Sequence, residues 1–123
     1  MTQKEPSVLT RLFDIIESRK QSSTQASYTA SLFAQGLASI TAKVIEEASE
    51  VCEAAHISPK DHLIYELADL FYHILVLAAY KDIKLSEIEA ELARRFGQSG
   101  LAEKASRKKN QDSSDALPKA VSY

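Results

Sequence analysis

Residues 58–80 read SPKDHLIYELADLFYHILVLAAY, and the fold is decided there. Ser58 as N-cap, Pro59 at the first helical position and Asp61 at the third together form a helix start signal. The apolar residues Leu63, Ile64, Leu67, Leu70, Phe71, Ile74, Leu75, Val76 and Leu77 then occupy nearly every side of that helix. A helix apolar all round is one surrounded by others. Against this background His62, Glu66, Asp69 and His73 are spaced four, three and four apart, which draws one polar stripe down a buried rod.

The preceding helix, expected over about residues 37–55, carries Glu46-Glu47-Ala48-Ser49-Glu50. Leu37, Ile40, Val44, Ala48, Val51, Cys52 and Ala55 form its expected core stripe, with Cys52 a small buried hydrophobe. Positions three apart share a helix face, so Glu47 pairs with Glu50 and Glu66 with Asp69. Two helices joined by a tight turn run antiparallel, which brings the carboxylate pairs opposite one another.

Like charges at this spacing destabilise an exposed helix by about 0.2–0.5 kcal/mol per pair, and burying unpaired carboxylates costs several kcal/mol. A cation removes the problem. Oxygen ligands of this hardness suit Mg²⁺, with Mn²⁺ as substitute, rather than zinc or a cluster. The spacing therefore nominates Glu47, Glu50, Glu66 and Asp69 as metal ligands, and Glu46 as the group that orients or deprotonates an attacking water. Such metals meet substrate phosphates, for which Lys43, Arg94, Arg95, Lys104 and Arg107 offer counter-charge. Tyr28, in a hydroxyl-rich loop, is a further candidate ligand contact. The plain alternative is a solvated glutamate face with Glu66 and Asp69 in structural bonds. His73 is read as bonded to the Asp69 carboxylate or to a neighbouring helix, and His56 and His62 receive no function.

The rest of the chain reads as helices and breaks. Val8 to about Arg19 is amphipathic, and Ala30 to Gln35 is a short helix capped from Ser27-Tyr28-Thr29 and ended by Gly36. Ser86-Glu87-Ile88-Glu89 is a capping box for a helix reaching about Phe96, and a short basic helix is expected over residues 101–109. No strand alternation or glycine-rich phosphate loop occurs. The expected fold is all-α, an antiparallel bundle of four to five helices, forming one domain over residues 1–109 with a disordered tail over 110–123.

A length of 123 residues suits one domain that adds burial by dimerising, and a net charge of -2 argues against nucleic acid as the main partner. One cysteine and no hydrophobic N-terminal leader fit a cytoplasmic protein without a membrane anchor.

Ser27-Tyr28-Thr29, Gly36, Lys43, Glu46-Glu47-Ala48 with Glu50, and Glu66 with Ala68-Asp69-Leu70 and Tyr72-His73 together resemble the phosphoribosyl-ATP pyrophosphohydrolases of histidine biosynthesis. The resemblance runs roughly from Val8 to Arg107. Its E-x-x-E and E-x-x-D elements are shared with the wider MazG-like, all-α nucleotide pyrophosphohydrolases. The resemblance implies a Mg²⁺-dependent homodimer that hydrolyses phosphoribosyl-ATP to phosphoribosyl-AMP and pyrophosphate, with ligands at Glu47, Glu50, Glu66 and Asp69. Ile45 departs from it, standing where a small residue is expected. Rival readings are a house-cleaning nucleoside triphosphate pyrophosphohydrolase and a non-catalytic helical dimerisation module. A di-iron bundle lacks its Glu-x-x-His pairs.

Overall fold

The computed structural model describes residues 5–97 apart from 24 and 26. Five helices follow in order: α1 (Val8–Ser18), α2 (Tyr28–Gln35), α3 (Leu37–Ile57), α4 (Lys60–Tyr80) and α5 (Leu85–Arg94). No strand occurs among the described residues. The basic segment over 101–109 and the tail over 110–123 lie outside them.

Local chemistry sets the boundaries. Ser7 and Ser27 cap α1 and α2, their hydroxyl oxygens accepting from the Thr10 and Ala30 amides. Gly36, at φ 92° and ψ −178°, separates α2 from α3 in a backbone region essentially reserved for glycine. The expected Ser58 cap shifts by one residue: Ser58 closes α3, and Pro59 takes the N-cap of α4 without a side-chain bond. At the far end, Lys20 Nζ donates to the Ala79 carbonyl (2.6 Å) and to Asp82 (2.7 Å), satisfying a terminal carbonyl of α4. Lys84 and Glu17 add a bond between that turn and α1.

Residues up to Leu85 form one unit and those from Ser86 a second. In the first, α4 packs against α1, α2 and, most extensively, α3. Only Ser58 and Pro59 join α3 to α4, so the two helices form an antiparallel hairpin. Ile16, Leu32, Ile40 and Val76, one from each of α1 to α4, are fully buried and anchor the core. Each contributes about 1.5–3 kcal/mol by its burial. The second unit contains α5, where Glu91 holds Arg94 through two parallel contacts (2.8 and 3.0 Å) and Arg95 at 3.2 Å.

Two expectations about burial need correction. The covered line of α3 is Ile40, Glu47 and Ala54, seven residues apart, so Leu37, Cys52 and Ala55 are exposed. Helix α4 is long and apolar enough to cross a membrane, yet its buried positions are Glu66, His73, Leu75, Val76, Ala78 and Ala79. Its other apolar face stays open.

Candidate metal and phosphate site

The hairpin buries acid where its sequence suggests oil. Glu47 on α3 and Glu66 on α4 are 4% and 7% exposed, and with half-buried Asp69 their carboxylate oxygens come within 4.8 Å of one another. The cause is periodicity. Glu47 sits one heptad after Ile40 on the covered line of α3, while Glu66 and His73 stand one heptad apart on the covered line of α4.

Such packing has an electrostatic cost. Glu47 is pushed up to about 7, first by burial and then by hydrogen bonding with Glu50 and the charges of Glu50 and Asp69, with Lys43 pulling the other way. Glu66 is raised as well, by burial first and then by Glu50, with His62 opposing. Half-buried Glu50 thus lies against both acids. Glu47 Oε2 and Glu66 Oε2 are buried without any hydrogen-bond partner. Two orphaned carboxylate oxygens within one acidic cluster are an arrangement that folding alone does not favour.

Around these acids stand the other candidates. Lys43 Nζ donates to Glu46 Oε2 at 3.2 Å and lies 3.7 Å from Glu47 Oε1, and the Glu46 bond raises the lysine above its ordinary value. Glu46 itself points outward, its side chain about half exposed. Tyr28 is exposed, but its hydroxyl lies 3.4 Å from His73 Nε2 and its ring stacks on Tyr72 at 6.3 Å. Tyr72 in turn shares a hydrogen bond with Thr29, and burial raises its phenol. His73 Nδ1 donates to the Asp69 backbone carbonyl at 2.8 Å, so its partner is the main chain and not the Asp69 carboxylate.

Three of the four nominated ligands therefore converge, with Glu50 beside them. Arg94 and Arg95 belong to the second unit and are engaged by Glu91. Lys104 and Arg107 lie outside the described residues. Sequence reasoning missed His62, whose Nε2 stands 3.4 Å from Glu66 Oε1. The spacing of four residues was the available signal, since it places His62 directly over Glu66 on one helix face.

A hairpin of two long helices with a buried acidic centre and a lysine at its side defines an all-α protein built around a carboxylate cluster. Comparison with known proteins narrows this. The family model for phosphoribosyl-ATP pyrophosphohydrolase matches residues 9–96. A phosphoribosyl-ATP pyrophosphatase of Geobacter metallireducens is 50% identical over 102 residues, covering 83% of this chain and 94% of the relative. One from Ruthia magnifica is 46% identical over 81% of this chain and 95% of its own length. The histidine biosynthesis bifunctional protein HisIE of Helicobacter hepaticus is 50% identical over 82% of this chain but only 44% of its own. The chain belongs to the phosphoribosyl-ATP pyrophosphohydrolase family.

Proposed function

We propose that this chain is a hydrolase that splits phosphoribosyl-ATP between its α and β phosphates, giving phosphoribosyl-AMP and pyrophosphate in the second step of histidine biosynthesis. The observation that carries this, beside family membership, is the pair of buried, unpartnered oxygens on Glu47 and Glu66. They fit a hard divalent cation. Carboxylate oxygens within 4.8 Å of one another on Glu47, Glu66 and Asp69, with Glu50 adjoining, form an all-oxygen donor set of the kind Mg²⁺ takes. Mg²⁺ bound there would neutralise phosphate charge and make a bound water more acidic.

The chain's own residues supply the rest. Hydrolysis consumes one water across the phosphoanhydride bond, so a proton must leave that water. Glu46 is the outward carboxylate next to the cluster and takes it, with Lys43 holding its side chain in place. Lys43 also offers its remaining ammonium N–H groups to the substrate's phosphates.

The working form is a homodimer. Ile64, Leu67, Phe71 and Ile74 are 55%, 37%, 50% and 39% exposed, and their spacing of three, four and three puts them on one face of α4. An apolar face of that period is an association surface between helices. The enzyme is a soluble one of the cytoplasm.

The test is pyrophosphate release from phosphoribosyl-ATP beside ATP, dUTP and dCTP, with Mg²⁺ and then with chelator. Metal-dependent turnover of phosphoribosyl-ATP well above the others is expected. Preference for a plain triphosphate would discard the substrate, and turnover unaffected by chelator would discard the metal.

A further inference from the structure

The hairpin has two chemically different ends, and the acidic cluster lies between them. Because α3 and α4 are antiparallel, Lys43 near the start of α3 lies toward the Tyr72–His73 end of α4: Tyr28, which touches Tyr72 and His73, is also among the groups whose charge raises Lys43. At the opposite end, beside the Ser58–Pro59 connection, is a partly enclosed cavity of about 250 Å³. Glu50 and Glu66 belong to its wall as well as to the cluster, so it opens directly off the site. Glu53, Ser58 and His62 complete its polar lining, and buried Ala54 supplies an apolar floor. Glu66, more than nine-tenths buried and with its Oε2 unpartnered, belongs to that wall.

Charge and size decide what each end accepts. Terminal phosphates carry several negative charges. Each carboxylate about 5 Å from one such charge repels it by about 1–3 kcal/mol at the dielectric of a protein surface. With Glu50 and Glu66 turned to the cation, Glu53 keeps the cavity wall negative and disfavours phosphate there, whereas carboxylates readily accept hydrogen bonds from a ribose diol. The volume falls below the roughly 300–1,000 Å³ that encloses a whole drug-sized ligand, so a sugar ring enters while the base remains outside.

Building on the substrate class proposed above, we infer that the nucleotide lies along the hairpin in one direction. Its pyrophosphate end points to Lys43, and the ribose bearing the triphosphate sits in the cavity beside Ser58. Glu53 and Ser58 read the sugar hydroxyls, and His62 is a positioning residue that holds Glu66.

Titration calorimetry on the full chain with Mg²⁺, using AMP and inorganic pyrophosphate as separate probes, tests the orientation. Glu53→Gln and Ser58→Ala should each weaken AMP binding about 5- to 20-fold, matching one or two lost hydrogen bonds, and leave pyrophosphate within about twofold. Lys43→Met should do the reverse. 2′,3′-Dideoxy-AMP should bind the wild type as weakly as AMP binds Glu53→Gln. Tighter pyrophosphate binding in Glu53→Gln, or AMP binding indifferent to both cavity variants, would overturn the orientation. Glu53 is exposed, so its variant is expected to fold, and a circular-dichroism melt checks this. If wild-type protein hydrolyses phosphoribosyl-ATP while these affinities move the wrong way, only the orientation fails. If it hydrolyses no phosphoribosyl-ATP with Mg²⁺, both readings fail.

Discussion

Glu47 and Glu91 are the same residue on helices of the same chain, and their surroundings push them in opposite directions. Glu91 is gripped by Arg94 and Arg95 and held down to about 2, with hydrogen bonding to Arg94 the largest cause. Glu47 is buried beside Glu50, Glu66 and Asp69 and is pushed up to about 7. One carboxylate is fully compensated within the fold; the other has Lys43 at 3.7 Å set against several neighbouring acids, and on the function proposed above a bound cation makes up the difference. An acid whose neighbours are acids has a stable ionised state only when something binds.

The largest expected effect comes from removing a member of the cluster. Asp69→Asn and Glu66→Gln should each lower the rate of phosphoribosyl-ATP hydrolysis at least about 10³-fold, the scale of losing an electrostatic stabiliser of a transition state. Melts in chelator should show the variants no less stable than wild type, because an uncompensated charge has gone. A variant that retained turnover, or that unfolded in chelator, would make Glu66 or Asp69 an ordinary structural acid.

Next is pH. A carboxylate raised in the fold binds its proton more tightly there than in the unfolded chain. Its stabilising contribution is full below the unfolded value of 4.5 and is lost as pH rises through about 7. Melts of metal-free protein should therefore lose up to about 3 kcal/mol between pH 5 and pH 8 from this group. Saturating Mg²⁺ should flatten or reverse that slope, since the ion binds the ionised form. A metal-free protein equally stable across the window would mean that Glu47 is not forced toward neutrality.

Lys43 is the intermediate case, a cation 3.7 Å from Glu47 that pulls its carboxyl downward. Lys43→Met removes the influence that lowers Glu47, so the pH at which metal-free stability falls should move upward. Turnover should drop about 10- to 100-fold with the loss of a charge-assisted phosphate contact. An unchanged pH midpoint with reduced turnover would leave Lys43 a role toward substrate only.

Much of this was legible in the sequence because carboxylate spacing on a helix is geometry. Glu47, Glu66 and Asp69 come together as their offsets require, and the all-α hairpin follows from the Ser58-Pro59 break between two long periodic runs. The covered face of α3 was not legible. Choosing a core stripe by apolarity selects Leu37 and Cys52 and rejects Glu47, whereas the packed line runs through Ile40, Glu47 and Ala54. Hydrophobic patterning fails where an acid occupies a core position. The cavity was missed because it depends on how two helices diverge at a turn, which no single-helix pattern encodes, whereas His62 was signalled by its spacing of four from Glu66.

The smallest effect belongs to Glu91 and sharpens the contrast most. Its shift is as large as that of Glu47 and opposite in sign, yet the pair is exposed to solvent and salt. A depressed carboxylate contributes above its unfolded value of 4.5 and loses that contribution as pH falls toward about 2. Side-chain entropy and screening offset most of the gain at the surface. Glu91→Gln should therefore leave the melting temperature at pH 7 and about 0.15 M salt without a resolvable change, and only the acid limb of the stability profile should soften. A marked loss at pH 7 would mean that Glu91 anchors more of its unit than its two arginines. The size of a pKa shift would then measure structural weight on both helices, and the difference between a self-compensated acid and one crowded by other acids would disappear.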